Sequence, residues 1–174
     1  MRNVGLLATR TVLGGYLAVH GAQKLFGSFG GPGLDATTAG FEAMGMRPAK
    51  AMATLASASE LGGGVLTATG VAYPLGPLAI AGAMTVAAAV HRKQGPLAQK
   101  RGFELPLTNL ALAIGLMSSG PGRLVLGPRL PKWLTRISVL GAVGIAAVSL
   151  WQLLRAKPPA PAEPAEETAG VRSS

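Results

Sequence analysis

The sequence predicts an all-α fold, a polytopic membrane bundle of helices, and three observations carry that prediction. Hydrophobic residues make up 49% of the 174, only 13% are charged, and glycine reaches 25, whereas an average soluble domain carries about 25% charged residues. The apolar residues gather into five long segments, about 4–25, 51–73, 75–90, 105–119 and 133–154, separated by Gly, Pro and charge. Lysine and arginine cluster at the ends of those segments, as the positive-inside rule requires of membrane helices. That placement also explains a net charge of +9 without nucleic acid, which is not expected as a partner.

In the first segment, Arg2 before an apolar run and the small residues Ala18 and Ala22 would suit a cleaved signal peptide. Arg10 splits that apolar core, so a retained helix is expected, with Arg10 snorkelling or paired. Tyr16, His20 and Lys24 recur every four residues as a polar-tipped stripe, beside a small stripe of Gly14, Ala18 and Ala22. The stretch 26–47, with Gly30-Gly31-Pro32-Gly33, reads as an irregular re-entrant or surface connection.

The second segment carries Glu60 near its middle. An acidic residue at the centre of a membrane helix costs roughly 2.5–3.5 kcal/mol, so it persists where it is paired, faces a cavity or takes part in function. Counting by three and four from Glu60 gives Ala53, Ala56, Ser57, Gly63, Gly64 and Thr67, a face of small residues suited to helix packing, while Leu55, Leu61, Val65 and Leu66 lie largely elsewhere. Glu60 is therefore expected to look into the bundle. Segments 75–90 and 105–119 are short for a hydrocarbon core that needs roughly 20 residues. Their alanine content suits a place inside the bundle. Trp133 and Trp151 bracket the fifth segment about 27 Å apart at 1.5 Å per residue, as interfacial anchors do, and Gly141 and Gly144 offer close helix approach. Beyond it the Pro-, Ala- and Glu-rich stretch 157–174 is expected to be a disordered tail.

Glu60 is the candidate catalytic residue, as a proton acceptor in a bundle cavity; the alternative is a structural acid neutralised by protonation or by Arg10. His20, His91 and Asn109 are the candidate cofactor-binding residues. His20 and His91 both close their segments at one end, and Asn109 lies deep enough in the fourth for an interhelical hydrogen bond. Two histidines and no cysteine make no expected metal site and exclude thiol chemistry by the chain itself. Glu104 reads as an acidic first-turn charge favoured by the helix dipole, and Gly120-Pro121-Gly122-Arg123 as a helix stop or, alternatively, an anion-holding loop. If all five segments span, Arg2, Arg123, Arg129, Lys132 and Arg136 lie on one side, with Lys24, Arg47, Lys50, Arg92, Lys93, Lys100, Arg101, Arg155 and Lys157 on the other, which is then cytoplasmic.

Gly21-Ala22-Gln23-Lys24-Leu25, Glu60-Leu61-Gly62-Gly63, His91, Gly102-Phe103-Glu104 and Gly120-Pro121-Gly122-Arg123, in this order along four apolar segments, resemble the DoxX family of small bacterial membrane proteins over about residues 4–127. The resemblance implies a DoxX-like four-helix membrane bundle over 1–127, to which 128–156 adds a fifth transmembrane helix, in the bacterial cytoplasmic membrane. It also implies a role in redox or oxidative-stress physiology, but carries no residue assignment with it. From their positions in the segments, a quinone bound in the bundle is the expected cofactor, with Glu60 exchanging a proton with it and Asn109 or His20 bonding a ring oxygen. Expected partners are the lipid bilayer, soluble or membrane redox enzymes and further copies of the chain. The alternatives are a non-catalytic scaffold for redox enzymes and a small-molecule transporter. One departure concerns the loop after Arg123, where many members carry an aromatic residue and Ser-Leu-Asp and this chain has Leu124-Val125-Leu126-Gly127.

Overall fold

The computed structural model describes residues 1–156; the expected tail, 157–174, lies outside them. Six α-helices follow one another: α1 (Arg2–Phe26), α2 (Gly33–Ala43), α3 (Ala49–Thr69), α4 (Leu75–His91), α5 (Glu104–Ser119) and α6 (Lys132–Arg155), and among the described residues there is no strand. Each of the five apolar segments forms one helix. The stretch 26–47 corrects the expectation of an irregular connection. From Gly33 onward α2 forms, anchored where the Thr37 hydroxyl donates to the carbonyls of Gly33 (2.7 Å) and of Lys24 (3.2 Å).

The long helices alternate in direction between two ends of the bundle. At the first end Arg2 donates to the Ser119 carbonyl (2.8 Å), Asn3 accepts from the Arg123 backbone N–H (3.2 Å), and the α3–α4 turn pairs with the segment leading into α6 through Ala72 to Pro128 and Leu130 to Tyr73. Tyr73 also donates to the carbonyls of Leu116 and Met117. At the second end the Gln152 amide exchanges two hydrogen bonds with the backbone of Arg47, fastening the end of α6 beside the start of α3. Gly27 and Gly70, both left-handed at φ near +70°, close α1 and α3, a conformation that glycine adopts without a Cβ penalty.

α1 and α3 form the tightest pair in the bundle, and their small residues are the reason. A Cβ at Gly64 would come within 2.5 Å of the Ala18 nitrogen, and one at Gly14 within 2.6 Å of the Ala68 nitrogen; Gly21 lies against the Leu61 backbone. On the other side of α3, a Cβ at Gly63 would stand 3.0 Å from that of Ala79 on α4. Ala53, Ser57, Glu60, Gly63, Gly64 and Thr67 are buried, as the count from Glu60 predicts, and Ala56 is half-buried. Leu13 and Leu17 of α1 join Ile80, Ala81 and Met84 of α4 and Ala113 and Leu116 of α5 in the core.

The outside of the bundle is apolar as well. α4 with its extension through Gln94, and α6, are each long and apolar enough to cross a bilayer. α6 exposes Trp133, Leu140, Val143, Trp151 and Leu154 and buries only Ser149. An apolar helix so little covered by protein fits a place against lipid. The expected close approach at Gly141 and Gly144 is corrected here. A side chain at either would meet nothing within 4 Å, because α6 leans on α4 and turns these glycines toward open space beside α3.

Candidate functional site

Beside α3 the bundle encloses a cavity of about 380 Å³, within the range typical of small-molecule sites. One face of α4 lines its length, with Leu75, Leu78, Gly82, Val86 and Val90 recurring every three or four residues, which is about 22 Å of helix. On α6 the same spacing presents Ser138, Ala142, Ile145 and Ser149. Phe41, Met44 and Met46, from α2 and the loop after it, complete the lining. The walls are thus aliphatic and thioether surface with a few polar points.

The chief polar point is an ion pair. Lys24 Nζ donates to both carboxylate oxygens of Glu60, at 2.6 and 2.7 Å, and both residues line the cavity. The Glu60 side chain is 5% exposed and that of Lys24 is 36% exposed. Helix register creates this pair: α1 and α3 run antiparallel with Gly21 against Leu61, so the next turn of α1 brings Lys24 level with Glu60. The same register corrects Arg10 as the partner of Glu60. Arg10 lies beside Gly70, ten residues further along α3 and so about 15 Å away along the axis. It donates instead to the Leu124 carbonyl, pinning the loop after α5, and its remaining buried nitrogens have no protein partner.

His91, at the end of α4, also lines the cavity, and its buried Nδ1 has no protein partner. Ser59 and Ser138 add hydroxyls, while the Ser149 hydroxyl is spent on the Ile145 carbonyl. The other two candidates lie elsewhere. His20 is exposed on α1, and Asn109 on α5 places its amide 3.9 Å from the Met84 sulfur, so neither reaches the cavity wall. Glu104 accepts from the Ala98 N–H (2.9 Å), fastening the loop ahead of α5. Among the described residues no three His, Asp or Glu side chains gather as a metal site would need.

Sequence reasoning missed Lys24 as the partner of Glu60, although the signal was present. Once the small stripes of α1 and α3 are docked antiparallel, Lys24 falls within a turn of Glu60. The lining from Phe41 of α2 and from Met44 and Met46 after it carried no such signal, since that stretch was read as irregular.

No curated protein and no solved structure matches the chain. The DoxX family model matches residues 5–92, from α1 through the end of α4, which includes Lys24, Glu60 and His91 but not α5 or α6. Covering just over half of the 174 residues, that match identifies the chain as a member of the DoxX family.

Proposed function

We propose that the chain is a multi-pass protein of the bacterial cytoplasmic membrane that holds a quinone in the cavity beside Glu60 and serves redox or oxidative-stress physiology. The observation that carries this reading is a partly buried Lys24–Glu60 pair set in a largely apolar cavity. A quinone has matching parts, a flat ring with two carbonyl oxygens and a long apolar tail. Lys24 would donate a hydrogen bond to a ring oxygen, and Glu60, in contact with Lys24, would supply or take up the proton that a quinone exchanges there. The unpartnered Nδ1 of His91 is a second polar contact along the same wall. Reduction of the ring takes two electrons and two protons; a partner redox enzyme supplies the electrons and this chain positions the ring and handles the protons.

Support for the membrane setting comes from the exposed apolar surface of α1, α5 and α6, and from five long helices of alternating direction. Mass spectrometry of small molecules co-extracted with the protein in mild detergent tests the reading. A stoichiometric quinone that is lost from Lys24→Met is the expected result. Co-purifying redox enzymes with no small molecule would instead favour a scaffold.

A further inference from the structure

The cavity wall is continuous along α4 and open between α3 and α6. α6 packs along α4 and is tied at both ends, through Leu130 to Tyr73 and through Gln152 to Arg47, but it does not pack closely against α3. Between them runs a groove lined by Met52 and Leu55 of α3 and by Gly141, Gly144, Ile145 and Val148 of α6. Met52, Leu55, Gly141 and Ile145 line the cavity too, so groove and cavity adjoin across these four residues. No polar side chain lines the groove. Both glycines leave it clear, since a Cβ at either would meet nothing within 4 Å.

We infer that this groove is a lateral doorway through which a lipid-soluble ligand enters the cavity from the hydrocarbon layer, its apolar chain lying between α3 and α6 and its polar head against Lys24–Glu60. The inference rests on the membrane setting proposed above. Three features fit a hydrocarbon chain better than any other occupant. The groove offers no hydrogen bond that water or a peptide would need, its floor is glycine where a chain must pass, and Met52 is a flexible side chain able to swing aside. The deep end holds the charged pair, so a ligand with one polar end and one apolar chain finds both of its surfaces matched in a single orientation.

The test uses the full chain in phosphatidylcholine vesicles and, as probe, dodecanol carrying a diazirine beside its hydroxyl end. The probe is photolysed at intervals after mixing and the labelled peptides are mapped. Label should reach the cavity-facing α4 residues Ala83 and Ala87 quickly in the wild type, and at least fivefold more slowly in Gly144→Trp and Gly144→Leu, which plug the groove without touching the cavity lining. Gly115→Trp, on α5 and equally free of neighbours, should label as the wild type does. Equal labelling rates in all four proteins would overturn the doorway. So would an unlabelled cavity accompanied by a disulfide-linked dimer of Gly144→Cys, which would place a second copy on the groove. A decyl-substituted benzoquinone added as competitor separates the two proposals. If labelling stays sensitive to Gly144 but the quinone does not compete, the doorway stands and the quinone reading falls.

Discussion

Lys24 and Glu60 are unequal partners, and the inequality makes the pair testable. Glu60 is 5% exposed and loses its partner in Lys24→Met, which leaves a carboxylate largely out of water; because Lys24 is itself 36% exposed, the cost is smaller than for a fully buried pair. Lys24, a third exposed on a long stem, can turn its ammonium outward in Glu60→Gln, so that change costs less. Thermal melting in detergent should therefore rank Lys24→Met well below Glu60→Gln, with the double mutant recovering part of the loss. Strictly additive losses would refute the pairing. In the sequence, the inward direction of Glu60 was legible because small residues surround it at helical spacing. Its partner was not, because Arg10 and Lys24 are both cations on the same helix, and only the register against α3 brings Lys24 level with Glu60 and leaves Arg10 about 15 Å away along the axis.

At the scale of elements, glycine decides what touches and what stays open. Gly63 lies so close to Ala79 that Gly63→Leu should abolish the folded, extractable protein, whereas Val65→Ala, on the exposed side of α3, should change the melting temperature little. Comparable yields would sink the packing assignment. The far end of α6 hangs on one side chain. Gln152→Ala removes two hydrogen bonds to Arg47, at 2.9 and 2.7 Å, at a cost of about 1–3 kcal/mol. Trypsin should then cut after Arg155 faster than in the wild type; an unchanged rate would mean that packing on α4 alone holds the end. The five long helices could be read from apolar length, but α2 was hidden by the glycines before it. Gly141 and Gly144 look in sequence like the packing glycines of α3, and only the placement of α6 on α4 shows that they face open space.

For the whole molecule, the two ends of the bundle differ in charge. Arg2, Arg123, Arg129, Lys132 and Arg136 sit at or near the end where α1 begins, and Arg47, Lys50, Arg92, Lys93, Lys100, Arg101 and Arg155 gather at the other. The second end should face the cytoplasm. The chain has no cysteine, so single substitutions report cleanly: an impermeant maleimide added to intact cells should label Ser119→Cys and spare Gln99→Cys. The opposite pattern would invert the orientation. Alternation of apolar segments with basic ends made this arrangement readable before any coordinates. The cavity was not readable, because its walls come from five helices and the loop after α2, brought together only by packing.

The central claim, that the space beside Glu60 is a quinone site, is tested most directly by filling it. Gly82 lines the cavity, and a side chain there would meet nothing within 4 Å, so Gly82→Phe should occupy the site without disturbing the bundle. Binding of a decyl-substituted benzoquinone to the purified proteins is then measured by titration, alongside thermal melting. The wild type should bind saturably, and Gly82→Phe should lose at least tenfold in affinity with its melting temperature unchanged. Absence of saturable binding to the wild type, or equal affinity in the two proteins, would contradict the account.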